Sequence, residues 1–472
     1  MPMEAQRKKT QLEEMDLSRW DFRYEEDAAF KTRKGLTPEI VETISRAKND
    51  PPWMREFRLH SLETYYKLEN PVWGPDLSAL DMNEIVTYLK PKTDMKTSWK
   101  DLPENIRGTF DKLGIPQAEK ESLAGVGAQY DSEVVYHNMR KEVEDLGVVY
   151  CDMETALRDY EDLVKTHFMK MVPPSDHKYV ALHGAVWSGG SFVYVPKDVK
   201  VPIPLQSYFR QNAPGTGQFE HTLIIVEPGA DLHFIEGCSA PKYNVLNIHA
   251  GCVELYVAEE ARLRYSTIEN WSKNMWNLNT KRAHVQKKGT IEWVSGSFGS
   301  QISMLYPSSV LLGEGAHSEF TGITFAGKGQ ELDTGTKVFH LAPFTTSSVN
   351  TKSISKNGGK CITRSQVMVA KEAVHSKNTV SCESLMLDSI SRSDTIPGMD
   401  IRTDDVDIGH EARIGRISDQ AIYYLMTRGL GEQEAKTLIV RGFAEPIAKE
   451  LPLEYAVEMN NLITLEMEGS IG

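Results

Sequence analysis

A mainly β chain organised as a parallel β-helix, with helical segments at both ends, is the architecture this sequence predicts. Three observations carry that reading. Short alternating runs rich in Val, Ile, Thr, Ser and Gly fill residues 171–416. Within them small turns recur about every 26 to 31 residues: Glu227-Pro228-Gly229-Ala230, Glu259-Glu260-Ala261, Lys287-Lys288-Gly289-Thr290 and Gly313-Glu314-Gly315-Ala316. On either side, Glu, Lys, Leu and Met recur at helical spacing. A Greek-key sandwich also separates short strands by turns, but the longer period is that of stacked coils sharing one core.

Taken in order, residues 1–170 read as an N-terminal, mainly helical region. Thr37 before Pro38 supplies an N-cap followed by proline at the first helical position. Pro116 to Ala124 and Val134 to Leu146 continue the helical spacing. Residues 171–416 form the β-helix core, with runs such as Thr222 to Val226, Val253 to Val257 and Ser318 to Ile323 as strands. Residues 417–472 turn helical again: Ser418 to Met426, a break at Gly429-Leu430-Gly431, Glu432 to Phe443, and an amphipathic segment from Leu453 to Met467. Such a helical end is expected to cap a solenoid.

Composition excludes several classes of function. With 40% apolar and 25% charged residues the chain has the makings of a buried core. The 66 acidic residues against 53 basic ones, a net charge of -13, disfavour nucleic acid and anionic membranes as partners. No stretch approaches the roughly 18 apolar residues of a membrane span. The opening MPMEAQRKKTQLEEMD mixes both charge signs without an apolar segment, so no export or transit signal is read. Cys151, Cys238, Cys252, Cys361 and Cys382 are an odd number at wide spacings, which suits free thiols in a reducing cytoplasm. No CxxC motif occurs, which disfavours a dedicated zinc site. Nor does the phosphate-binding pattern G-x-x-x-x-G-K-[ST], so ATP hydrolysis is not expected of this chain.

Two sets of residues have the types and spacing for chemistry. Cys382 and His410-Glu411 lie about 28 residues apart, close to one coil of the repeat, so equivalent phases in adjacent coils bring them together. A thiolate, an imidazole and a carboxylate are a ligand set for iron or a nascent cluster. The plainer alternative is a small buried hydrophobe near a solvated turn. The second set, Arg210, Asn212, Cys238, Glu269, Trp271 and Lys287, is spread over successive coils and makes a path rather than a point. If Cys238 carries a persulfide, Arg210 and Lys287 favour its anionic form; the alternative is an ordinary polar and aromatic ladder. Cys151, Cys252 and Cys361 read as structural thiols. Asp404, Asp405 and Asp407 would instead serve a β-helix carbohydrate lyase through a bound cation, although such enzymes are commonly exported.

From about Lys178 to the C-terminus an ordered set of segments resembles the SufB/SufD family: HGAVWSGGSFVYVPKDVKVPIPLQSYFR, VEPGADLHFIEGCSAP, ENWSKNMWNLNTKRAHVQKKG, and NTVSCESLMLD followed by DIGHEARIG. The paired cysteine and His-Glu motifs resemble the SufB branch. This resemblance implies a right-handed parallel β-helix with helical flanks. It implies a cytoplasmic, non-enzymatic scaffold for iron-sulfur cluster assembly that receives persulfide sulfur and iron. Its implied partners are a SufC-type ATPase, SufD or a second SufB copy, and a cysteine desulfurase system with its sulfur shuttle; the cluster is transient, and a reduced flavin is left open. Cys382, Glu411 and His410 are the implied assembly and metal-binding residues, at an interface with the partner scaffold. Cys238, Arg210, Asn212, Glu269, Trp271 and Lys287 are the implied sulfur-acceptance and transfer residues. Position 269 is Glu where the family pattern has Gln, and a carboxylate repels a persulfide unless protonated or paired. The C-terminal helices, with Ile422, Tyr424, Leu425, Leu438 and Ile439, are the implied docking surface for SufC. A SufD-like structural subunit is the alternative within the family.

Overall fold

The computed structural model describes residues 28–451 and 453–468; the opening segment read for an export signal lies outside the described residues. A β-solenoid core of about eight turns runs through the chain, with helical regions before and after it. One long face is parallel from Gly125–Tyr130 through Leu205–Arg210, Asp231–Ser239, Arg262–Asn270, Thr290–Phe298, His317–Ala326, Thr346–Ser355 and Ser376–Met386 to Val406–Arg416. The antiparallel strand Glu133–Met139 closes its first edge. The opposite side begins as two narrow faces, one from Gly190–Val195 to Ser308–Leu311 and one from Gly217–Gln218 to Ile302–Leu305. They merge in Glu331–His340, whose first half pairs with Ile302–Leu305 and whose second half pairs with Ser308–Leu311. Lys360–Val369 and Arg392–Ile401 continue that broad face. The coil thus changes from three-sided to two-sided along its length.

The recurring turns are the device that sets the period. Each contains a residue in the left-handed region: Gly229 (φ 69), Glu260 (φ 57), Lys288 (φ 52), Gly315 (φ 71), Phe344 (φ 59) and His375 (φ 59). The N–H of each donates to a carbonyl in the turn of the next coil: Gly229 to Glu259, Glu260 to Lys287, Lys288 to Glu314, Gly315 to Pro343, Phe344 to Val374 and His375 to Asp405. Backbone groups that a turn would otherwise leave open to solvent are thereby paired from coil to coil.

Inside, residues of like phase stack. Phe234, Tyr265, Trp293 and Phe320 are in register on neighbouring strands, followed by Val349, Val380 and His410. Ring centroids of 5.6 Å between Phe234 and Tyr265 and between Tyr265 and Trp293 are in the range where aromatic pairs contribute about 0.5–1.5 kcal/mol beyond area burial. The opposite phase, Ile235, Ile268, Val294, Ile323 and Ile354, faces outward and is covered by Val440, Ala444, Ile447, Met459, Leu462 and Ile463. The helices Glu432–Ala448 and Leu453–Glu468 therefore lie along the side of the solenoid, correcting the expectation that they cap its end.

Before the core, Pro38–Lys48 is capped by Thr37, whose side chain accepts from the Ile40 N–H, and Ile115–Ser122 is helical. Val134 to Leu146 is not the helix its composition suggested: Glu133–Met139 is a strand, followed by the short helix Lys141–Glu144. Its Val134-Val135-Tyr136 run is β-prone, and pairing with Gly125–Tyr130 overrides the charged residues that follow. No helix among the described residues is long and apolar enough to cross a membrane.

Candidate functional site

The pleat of the long face sorts the candidate residues, because adjacent positions on a strand point to opposite sides. Cys238 and Glu236 share the inward phase of Asp231–Ser239. Cys238 is in register with Glu269, then Ser297, Thr324, Ser353 and Ser384 on successive strands. Glu236 heads the parallel file of Thr267, Ser295, Gly322, Thr351 and Cys382. The aromatic ladder thus runs beside two polar files. At strand spacings of about 4.8 Å, the five steps of the second file span roughly 24 Å. A narrow cavity lies on this path, lined by Ser295, Ser297, Gly322, Thr324, Thr334 and Thr351. Hydroxyls pair along it, Thr324 with Thr334 at 2.9 Å and Ser353 with Ser384 at 2.7 Å.

The Cys238 end is sealed. Cys238 packs in a buried cluster with Phe209, Trp271 and Met275. Burial and the carboxylates of Glu236, Glu269 and Glu220 push its thiol well above the usual range, with Lys281 opposing. This corrects the expectation of a cation-favoured thiolate. Arg210 is buried but takes the outward phase, in register with Ser239, and donates to Ser239 Oγ at 3.2 Å. Lys287 sits on an outer turn, half-exposed and 3.5 Å from Glu259, so its place beside Cys238 is also corrected. Asn212 lies just past the strand, where its N–H donates to Asp131 Oδ1 at 2.7 Å.

The cation that the interior does hold is Lys281. Its Nζ lies 2.6 Å from Glu236 Oε1, 3.9 Å from Glu269 Oε1 and 3.0 Å from Thr267 Oγ1. Desolvation opposes the ammonium charge, but the two carboxylates outweigh it and raise the Lys281 pKa. Burial raises Glu269, which accepts from Asn277 Nδ2 at 2.8 Å. Asn277 in turn meets His249 Nδ1 at 2.8 Å, and His249 packs tilted against Trp271 with ring centroids 4.6 Å apart. The carboxylate at position 269 is therefore paired. Lys281 shares the inward phase of Ala283 and Val285 on Thr280–Val285.

The Cys382 end lies next to the exposed last strand, but the thiol itself is buried. Cys382 Sγ lies 4.0 Å from His410 Nε2, and burial raises its thiol pKa, offset by the hydroxyls of Thr351 and Ser365. One coil remains beyond it, with exposed Ala412 in register. Glu411 is not brought to the thiol: it occupies the outward phase of Val406–Arg416, half-exposed, and forms a 2.5 Å ion pair with Arg413. Asp405, of the acidic trio, is taken up by His375 Nδ1 at 3.0 Å. Cys361 is buried with Ala326 and Leu332.

Fold and site together define a β-solenoid with a polar interior joining a sealed thiol to a thiol-imidazole pair in an open terminal coil. Residues 209–443 match the SUF system FeS cluster assembly SufBD core domain, and residues 85–207 match the SufBD protein N-terminal region. An iron-sulfur cluster assembly SufBD family protein of Staphylococcus aureus is 50% identical over 454 residues, covering 96% of this chain and 98% of the relative. A relative of the same description from Staphylococcus epidermidis matches with the same identity and coverage. The chain belongs to the SufBD family of iron-sulfur cluster assembly proteins.

Proposed function

We propose that this chain is the SufB-type scaffold of its assembly complex, taking sulfur at Cys238 and building a cluster at Cys382 with His410. The observation that carries this reading is the polar interior file ending at the Cys382–His410 pair. Sulfur enters as a donor persulfide: the donor's S–S bond breaks, a new one forms at Cys238 Sγ, and the proton lost from the Cys238 thiol goes to the departing donor sulfur, which leaves as a thiol. Because the file between the two cysteines holds hydroxyls and no thiol over roughly 24 Å, delivery to Cys382 needs a small diffusible thiol or sulfide that takes the sulfur from Cys238 by the same exchange and hands it on, without net oxidation. Its conversion to sulfide takes two electrons from a reductant, for which a reduced flavin is a suitable class.

The terminal strands suit a partner scaffold, SufD or a second copy. Arg392–Ile401 and Val406–Arg416 each pair on one edge, and Ile396, Met399 and Ile414 are over 40% exposed. Glu411 stands on that terminal strand, where it is available to a ligand set shared across two subunits. ATP hydrolysis falls to a SufC-type partner, for which Tyr423, Tyr424, Met426 and Leu438 offer exposed apolar surface on the first two C-terminal helices.

The test is anaerobic reconstitution of the complex. With ferrous iron and free sulfide, Cys382→Ser and His410→Ala are expected to lose thiolate-to-iron absorption, whereas Cys238→Ser keeps it. With a persulfide donor as the sulfur source, Cys238→Ser is expected to fail as well. Full absorption in Cys382→Ser would make the assignment wrong.

A further inference from the structure

A second group of ligand-type side chains lies outside the polar files. His183, on the helix Lys178–Val186, meets His221 and Cys252, which head the neighbouring strands His221–Val226 and Cys252–Val257 and are in direct register. All three residues are buried, and their ligand atoms lie within 4.8 Å of one another. We propose that His183, His221 and Cys252 hold a resident zinc-class divalent cation that staples this helix to two adjacent coils, separate from the iron handled as cargo.

One hydrogen bond and one unpaired buried nitrogen around the group suit such a site. Metal-bound imidazoles donate their remote N–H to a carbonyl or carboxylate, which fixes the tautomer and aims the ring. His183 Nδ1 lies 2.9 Å from the Ala250 carbonyl oxygen, an acceptor, so its Nε2 carries the lone pair. That atom lies 3.0 Å from His221 Nδ1, and His221 Nε2 lies 3.3 Å from Glu254 Oε2. With one proton shared between the two rings, His221 Nε2 is left a buried nitrogen without a hydrogen-bond partner, facing the Glu254 carboxyl. Glu254 is itself held by the N–H groups of Met169, Met171 and Val172, at 2.5, 2.9 and 2.8 Å.

A cation on His183 Nε2 and His221 Nδ1 moves that proton to His221 Nε2, from which it is donated to Glu254. Binding also deprotonates Cys252. The two positive charges of the ion are then matched by one thiolate and one carboxylate, as a buried site demands. Two imidazoles and a thiolate are zinc ligands at about 2.0–2.3 Å and leave one tetrahedral position for water. That geometry asks the ring nitrogens to open by roughly 0.3 Å and the Cys252 sulfur, within 4.8 Å of them, to close to about 3.5 Å. Because the group is enclosed, the ion enters as this corner folds.

The test uses the full chain made in minimal medium with cobalt in place of zinc, purified without reconstitution. The expected result is about one cobalt per chain with a thiolate-to-cobalt charge-transfer band. The band is expected to persist in the Cys238→Ser, Cys382→Ser double variant and to disappear in Cys252→Ser. Glu254→Gln is expected to weaken retention about 10- to 100-fold, measured against a competing chelator. Wild-type protein without the band, or a band that survives Cys252→Ser, overturns the proposal. The first of these requires no variant to fold. Protein grown with both zinc and iron that retains iron here would overturn the zinc assignment, and no outcome bears on Cys382.

Discussion

The two thiols of the interior are both buried and both raised by desolvation, yet they differ in their neighbours. Cys238 is fully enclosed among carboxylates that keep it protonated, beside a buried ammonium already committed to Glu236 and Glu269. Cys382 is one coil from the end of the solenoid, with a hydroxyl on either side and an imidazole at 4.0 Å. A thiolate is the nucleophile and the metal ligand, so the sealed end needs a change of contacts to become reactive, whereas the open end needs a partner or an ion. On the proposed function, reception and assembly would be separated by electrostatics as well as by distance.

The sharpest way to break this contrast is at Lys281. Lys281→Met leaves Glu236 and Glu269 buried without their cation, and loss of one member of a buried pair costs about 3–5 kcal/mol. Lys287→Ala removes a half-exposed pair with Glu259, worth about 0–1 kcal/mol. Denaturant unfolding of the two variants measures both; similar losses would mean that Lys281 is not the interior cation. The next largest effect is expected at Gly322. A Cβ added there meets the Phe320 ring at 2.8 Å, so Gly322→Val both overpacks the coil, at about 1–3 kcal/mol, and fills the file between Cys238 and Cys382. Sulfur labelling is expected to stop at Cys238 in a variant that still takes iron and free sulfide. Label reaching Cys382 at the wild-type rate would show that sulfur travels elsewhere.

The turns were legible because a left-handed position at each corner favours glycine or a short polar motif at a fixed period, and the structure pairs those same turns. The same motif list contained the information that displaces Lys287 from the interior. It lies in Lys287-Lys288-Gly289-Thr290, and a residue in an outer turn does not face the core. Lys281 had the inward phase of its strand, but a lysine between threonine and arginine reads as solvent-facing until its carboxylate partners on other coils are known. His410 and Glu411 are adjacent in sequence, and the pleat sends them to opposite sides, which spacing alone does not convey. Cys252 had no neighbouring cysteine to mark it. Its companions come from a helix and another coil, so no sequence motif records them. The C-terminal helices misled for a related reason: their apolar faces fit a cap or a side layer equally, and the outward Ile phase of five strands decides for the side.

Glu411 carries the smallest effect on the isolated chain and the most specific one in the complex. Its ion pair with Arg413 is exposed, and such pairs contribute about 0–1 kcal/mol. Glu411→Gln is therefore expected to leave the unfolding midpoint and the iron loading of the isolated chain close to wild type. If the proposed partner scaffold adds to the terminal strand in the complex, the same variant is expected there to lower cluster yield while Arg413→Ala, which frees the carboxylate, does not. Iron loading by the isolated chain, measured by thiolate-to-iron absorption, separates the cases. If Glu411→Gln reduces it as far as Cys382→Ser does, the carboxylate reaches the interior thiol within a single chain, and the open end is already complete without a partner.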